Sequence, residues 1–472
     1  MPAYRAGFVC LSYGGGTDMT DKHNMYLSGP ILPIFAKTGL PIVLIMLVNG
    51  VFTIVDAYFL GRYVGVDAVI AVTLMFPLYI MLVALSTLVS GGFSSVYARF
   101  LGAGQHDLAR SVFVAAIQLS LVVCLVLIVL FTSFGRVISV QIANGSEDLA
   151  GLGRSYLSIL IWCSPLAFIL GINLDALRAE GVLAAMAGIT LLSALLNIVF
   201  DWLFVAQMGW GVPGSAYGTV LSQICALVVL AIFRVSQHTA GMRQTQNWLA
   251  KPDVKQWRAM LALGAPSSLG YVGLSLSAGI TLFCIQIWAG AQFEATSGAF
   301  GIMTRLKTFM FLPLLVVSLA FQTIVGNNFG AGQMDRTAAT VRIAIVTALV
   351  YCVLMQIIFV LIAPYVGAWF VEDARIQAEL ARILPVTTLS MFAFGPLMMI
   401  ATYFQAIGDA ARAAILGLSR TYLFAIPLTF ALPFVVGEWG IWLAGVIAEF
   451  LVFTLTAIVV MRYRRHLAAV AA

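Results

Sequence analysis

Charge is what this sequence has least of: Asp, Glu, Lys and Arg together supply 9% of its 472 residues, where soluble domains carry about 25%. So few charges cannot solvate the surface of a chain this long, which excludes a water-soluble enzyme or binding domain. Histidine is scarcer still. His23, His106, His238 and His466 are the four copies, and none stands in an H-E-x-x-H arrangement. The six cysteines show no C-x-x-C spacing. Cys124, Cys163, Cys225, Cys284 and Cys352 fall in apolar runs and read as small buried hydrophobes, not as disulfide partners or metal ligands. There is no Walker-type loop and no paired-Asp loop motif, so neither nucleotide hydrolysis nor hydrolase chemistry has a signature here. The opening stretch through Gly14-Gly15-Gly16 is too polar for a cleavable signal sequence, and Met19 is an alternative start.

What the sequence has in abundance is apolar chain: 62% of residues are hydrophobic and the mean hydropathy is +1.02. Lipid must be the solvent for that much apolar surface, and continuous apolar runs in lipid are helices, because each must satisfy its own backbone hydrogen bonds. At about 20 residues per crossing, the runs predict twelve spans: 36–60, 68–97, 112–134, 154–176, 183–206, 213–235, 259–288, 297–325, 338–363, 383–405, 411–436 and 440–461. The fold class expected is therefore an all-α polytopic membrane protein, a monomer whose partner is the bilayer. Twelve spans put both termini on one side. With that side cytoplasmic, the external segments hold only Arg62, Arg136, Arg154, Arg375 and Arg382, while most other Lys and Arg are cytoplasmic, as the positive-inside rule demands. The net charge of +6 is then explained without nucleic acid as a partner.

An internal repeat accompanies the even number of spans. Leu101-Gly102-Ala103-Gly104-Gln105 follows the second span and Phe329-Gly330-Ala331-Gly332-Gln333 follows the eighth. Arg178-Ala179-Glu180-Gly181 after the fourth span is answered by Gln405-Ala406-Ile407-Gly408 after the tenth, at nearly the same offset. The predicted organisation is a cytoplasmic arm (1–35), an amino-terminal six-helix lobe (36–236), a cytoplasmic linker (237–256), a carboxy-terminal six-helix lobe (257–462) and a cytoplasmic tail (463–472).

Ionisable residues inside spans each need an explanation, since each costs at least about 2.5–3.5 kcal/mol at the bilayer centre. They are Asp56, Asp201, Arg305, Lys307, Arg420 and Glu449. Asp56 and Asp201 close the first and fifth spans at similar expected depth, and Asn197 precedes Asp201 by one helical turn, on the same face. Two carboxylates and an amide oxygen at one depth could share a proton or coordinate a cation. Arg305 and Lys307, two residues apart, point to different faces of the eighth span. Glu449 is the expected partner of one of them, with substrate contact in the cavity as the other role for the pair. Asp175 and Arg178 read as an ion pair at a helix end.

Leu47-Val48-Asn49-Gly50 and Val55-Asp56, the segment Gly301 to Arg305, Pro313, and Phe321-Gln322-Thr323-Ile324-Val325-Gly326-Asn327-Asn328-Phe329-Gly330-Ala331 together resemble the multidrug and toxic compound extrusion family. So does Arg178-Ala179-Glu180-Gly181, and the resemblance runs from about Gly29 to Arg462. It implies two six-helix lobes forming a V around a central cavity in a bacterial inner membrane. It also implies alternating access and export of small amphiphilic, often cationic compounds against entering H⁺ or Na⁺, with no other cofactor. Residue by residue, Asp56 and Asp201 resemble the family's two amino-lobe carboxylates. Asn173, Asn197, Thr219 and Tyr156 match positions around them, and Pro41 resembles a proline at which the first helix bends. Some branches of the family place an acidic residue in the seventh or tenth span. The predicted spans here hold none, which points coupling to the amino lobe. A flippase for lipid-linked oligosaccharides or lipid II, from the same superfamily, and a membrane-embedded lipid transferase are the competing readings.

Overall fold

Backbone groups in hydrocarbon have no water to bond, so each apolar run closes its hydrogen bonds within itself, and the described residues are helical almost throughout. The structure, a computed structural model, describes residues 24–143, 146–236 and 253–471, with the side chains of 49–54, 57, 66 and 466–471 set aside. Most of the expected arm and linker, with His23 and His238, lies outside the described residues.

The amino-terminal half comprises α1 (Ile31–Phe59), α2 (Val66–Leu74), α3 (Phe76–Gly102), α4 (His106–Ile142), α5 (Glu147–Trp162), α6 (Ser164–Ala179), α7 (Leu183–Asp201) and α8 (Gly211–Ser236). The carboxy-terminal half comprises α9 (Val254–Trp288), α10 (Phe293–Gly330), α11 (Met334–Val366), α12 (Ala374–Thr387), α13 (Met391–Ile407), α14 (Ala410–Leu418), α15 (Ile426–Ala431), α16 (Pro433–Val436) and α17 (Trp439–Ala471). Among the described residues ten helical stretches are long and apolar enough to cross a membrane, and two bent pairs bring the number to twelve. The bent pairs are α5 with α6 and α12 with α13, each kinked by 52°. They stand at the fourth and tenth crossings, the same place in the two repeats. Pro165 opens α6, and Pro385 sits three residues before the break after α12. A proline lacks the amide that would carry the ladder across, and at the helix end beyond Pro385 the Leu384 carbonyl accepts from the Thr388 hydroxyl at 2.9 Å.

Several helices outrun the apolar stretches that predict them, because hydropathy marks the hydrocarbon-facing length and not the polar turns that continue it. The third crossing, expected over 112–134, is the 37-residue α4. Helix α9 starts inside the expected linker, where Asp253 caps it by accepting from the Lys255 and Gln256 amides. The expected tail continues α17 as helix to Ala471. Helix α12 begins at Ala374 on an Asp373 cap, well before the expected start at 383. The tenth crossing therefore does carry a buried acid, Glu379, and the expectation of none is corrected. It is already committed: Arg382 bonds it at 2.6 Å and also reaches Glu438.

The two halves meet at one end, the end bearing both Gly-x-Gly loops. Helix α3 lies backbone to backbone against α9, where a Cβ on Gly92 would overlap Met260 O and one on Gly264 would overlap Leu88 O. Against α10 the contact is reciprocal: Gly102 abuts the Asn327 backbone and Gly330 abuts the Arg99 backbone, repeat-related residues touching each other's partners as across a two-fold axis. Ser95 donates to Gln405 O, and Arg99 donates to Ile407 O at 3.1 Å. These contacts occupy the last turns of α3 and α10 and the first turns of α9, so the halves close here and form a V.

The short segment before α1 is part of this closure. Tyr26 is fully buried and donates its hydroxyl to Arg178 O in the amino-terminal half. From the other half, Asn328 and Arg336 donate to Tyr26 O, Arg336 donates to Gly29 O at 2.8 Å, and Asn24 donates to the Asn327 side chain at 2.8 Å.

Candidate functional site

Helices α7 and α8 form an antiparallel hairpin whose facing stripes are polar. On α7, Asn197 and Asp201 are one turn apart, and both are buried. On α8, Ser215, Gly218 and Thr219 fall at i, i+3 and i+4 and share one face. With the Asn197 amide turned to satisfy both ends, its NH₂ donates to Asp201 Oδ2 at 3.1 Å, and its oxygen accepts from the Thr219 amide and hydroxyl at 3.1 and 3.0 Å. Ser215, fully buried, donates to Asp56 Oδ1, and Tyr156 of α5 packs against the cluster of Leu60, Ala68 and Val212 where α1, α2 and α8 adjoin. Asp56 and Asp201 lie close enough to act on one another electrostatically, and Tyr156 feels both. Tyr79 of α3 also stands in the field of Asp56.

The structure thus brings Asp56, Asp201, Asn197, Thr219 and Tyr156 into one cluster. Asn173 does not join its hydrogen bonds: the Asn173 amide donates back to Ile169 O at 2.8 Å, within its own helix. Pro41 stands inside an α1 that runs unbroken from Ile31 to Phe59. It leaves the carbonyl one turn earlier without a helical donor, which is a point of low bending resistance. Ser215 and Tyr79 escaped the sequence reading. For Ser215 the signal was present, since it precedes Thr219 by one turn on the stripe that faces Asp201.

Asp201 is the exceptional member. It is wholly buried, and among the described residues its Oδ1 has no hydrogen-bond partner. That oxygen faces the α8 backbone at Gly218, where a Cβ would overlap it. An unpartnered buried carboxylate oxygen is costly. A proton or a small cation on it would remove that cost, and the second carboxylate nearby adds attraction for positive charge. A proton needs that oxygen alone; a Na⁺ would need further oxygen ligands, and the Asn197 oxygen, turned toward Thr219, is not one of them. Gly218→Ala is accordingly expected to lower gradient-driven transport on the order of tenfold by forcing Asp201 off α8. Gly188→Ala, with open space around the new methyl, should leave it unchanged. Initial rates in proteoliposomes compare the two, and equal rates would remove Oδ1 from the mechanism.

In the carboxy-terminal half the charges sort differently from expectation. Glu449 on α17 pairs with Arg420 at 2.9 Å, not with Arg305 or Lys307. Arg420 sits in the wide π turn Ser419–Ala425, with its guanidinium 4.2 Å from the Phe394 ring, and this turn aims it at α17. Lys307 donates to Thr387 O at 3.3 Å, inside its own half. Arg305 is exposed, and among the described residues no carboxylate lies within 4.0 Å of it or of Lys307. Near the closed end, Arg178 pairs with Asp175 at 2.9 Å and Arg234 with Glu180 at 3.4 Å.

Comparison with known proteins agrees with this architecture. The sequence matches the MatE family over residues 41–203 and 266–431, one stretch in each half. It is similar to the Bacillus subtilis protein described as "Probable multidrug resistance protein YoeA", 24% identical over 398 residues that cover 83% of this chain and 85% of that one. It is also similar to the "FAD transporter" of Shewanella oneidensis, 23% identical over 438 residues covering 90% and 93%. Among solved structures, an outward-facing multidrug resistance MATE family transporter superposes with a TM-score of 0.83 at 22% identity, covering 96% of this chain and 99% of that one.

Proposed function

Because this chain belongs to the MatE family, whose members are membrane transporters and not enzymes, we infer that it is a secondary active exporter. On this reading it moves amphiphilic compounds by antiport with H⁺ or Na⁺ through alternating access. The observation that carries the coupling reading is the buried, unpartnered Oδ1 of Asp201 beside Asp56. Binding of H⁺ or Na⁺ there changes the charge of the α7–α8 hairpin, and through Ser215 and Asp56 that change is felt by α1. Pro41 gives α1 a place to bend in response. Asn197, Thr219 and Tyr156 hold the pair in position, and Asn173 lies on the adjoining α6.

The Lys and Arg bias supports a cytoplasmic closed end, both termini inside and a cleft open to the outside. A monomer suffices, since each half contributes its own wall. The relatives' names include both a multidrug resistance protein and an FAD transporter, which supports a cargo range wider than cations.

The test is ethidium movement in proteoliposomes under an imposed pH gradient and, separately, an imposed Na⁺ gradient. Transport is expected under at least one gradient and none when both are collapsed. Gradient-independent movement, or movement of lipid-linked sugar alone, would overturn the antiport reading.

A further inference from the structure

Helix α10 has two unlike faces. Met303, Met310 and Leu314 are buried in the carboxy-terminal half, and Lys307 turns the same way, toward Thr387 of α12. The other face is the one α10 presents to the amino-terminal half. Val316 meets Gly39 of α1 and Gly330 meets Arg99 of α3. Those two residues follow Arg305 by about three and about seven whole turns at 3.6 residues per turn, so Arg305 lies on the same line. It stands roughly 16 Å beyond Val316 toward the open end, at 1.5 Å per residue, where the halves have diverged. Arg305 therefore faces the cleft and not lipid, which is also the one exposed position that a guanidinium deep in a span tolerates.

Among the described residues no carboxylate lies within 4.0 Å of Arg305. The buried acids of its own half are taken, Glu379 by Arg382 and Glu449 by Arg420. One turn on, Phe309 is 74% exposed, so an aromatic ring lies beside the charge on the cleft wall. A guanidinium fork with five donors matches a planar carboxylate, sulfonate or phosphate, and the adjacent ring suits an apolar or aromatic body.

The geometry points to Arg305 as the residue that receives the anionic head of an exported amphiphile, so that organic anions are among the cargo of this transporter. This deepens the exporter reading and rests on it for the transport step, though not for the binding step.

The experiment uses the full chain in nanodiscs and two dyes that share a xanthene ring, anionic fluorescein and cationic rhodamine 6G, read by fluorescence anisotropy. Wild type should bind fluorescein. R305Q should weaken that binding by about tenfold or more while leaving rhodamine 6G binding equal or tighter, and R305K should keep part of it, having the charge without the fork. As a measurement that needs no variant, added salt should weaken fluorescein binding to wild type and spare rhodamine 6G. Failure of wild type to bind fluorescein, equal binding by wild type and R305Q, or salt-insensitive binding would overturn the inference. In proteoliposomes, Arg305-dependent fluorescein binding without gradient-driven movement of either dye would sink the exporter reading and leave the anion site standing. Driven rhodamine 6G export without fluorescein binding would do the reverse.

Discussion

Asp201→Asn is expected to reduce gradient-driven efflux to the level of protein-free vesicles while the variant still binds substrate dyes. The substitution keeps the volume and the bond from Asn197 within reach, but it replaces the unpartnered Oδ1 by a group that neither binds a proton reversibly nor attracts a cation. Asp56→Asn should have a similar effect, because its carboxylate shares the pocket and is held by Ser215. The double variant should be no worse than either single one, since groups acting as a unit lose their function once. Asn197→Ala should cost less, as it removes a ligand and leaves both charges. Efflux in Asp201→Asn at the wild-type rate and with wild-type gradient dependence would refute the site, and strictly multiplicative losses in the double variant would mean two independent sites.

The second large effect is expected at the closed end. Gly264→Ala introduces a methyl that overlaps Leu88 O, and Gly92→Ala one that overlaps Met260 O. Both obstacles are backbone in a helix, so neither can yield by a rotamer change. Overpacking of this kind costs about 1–3 kcal/mol, which multiplies the population of states with this end parted by about 5- to 150-fold at 1.4 kcal/mol per decade. Nitroxide labels at positions 106 and 335, both exposed at the start of α4 and α11, should report longer distances by double electron–electron resonance in either variant. The same substitution at Gly301, with no atom within 4 Å of the added carbon, should leave the distances alone. Unchanged distributions in Gly264→Ala would mean that α3 and α9 do not govern closure.

These effects differ in how visible their causes are in sequence. The number of crossings is legible because lipid enforces one rule on every span. The bends are not, because Pro165 and Pro385 end a helical ladder while Pro41 and Pro313 sit within continuous helices. Whether a proline breaks a helix depends on whether the carbonyls at the break find donors, as Leu384 O finds the Thr388 hydroxyl. In the site, Asn197 and Asp201 declare themselves by their one-turn spacing on a single helix. The bond from Ser215 to Asp56 joins residues 159 positions apart, and no local pattern encodes that proximity. Glu449 was expected beside Arg305 or Lys307, and the π turn that carries Arg420 brings that residue to it instead. The acid in the tenth crossing was hidden by a boundary: Glu379 lies in the polar first turns of α12, where an apolar run has not yet begun.

The segment from Asn24 to Gly29 bonds both halves at once, through Tyr26 to Arg178 on one side and through Asn24, Tyr26 and Gly29 to Asn327, Asn328 and Arg336 on the other. Parting of the closed end carries Arg178 away from Asn328, so the segment must release one set of partners. In thermodynamic terms it is a ligand with two receptors, tethered at a high effective concentration by its continuity with α1. It binds fully only when the two receptors are adjacent. Reciprocity then requires that whatever tightens its docking favours the closed end, and whatever opens that end loosens the docking by the same factor. A charge change at the α7–α8 hairpin that moves α1 therefore acts on a helix whose first residues are already engaged with the opposite half.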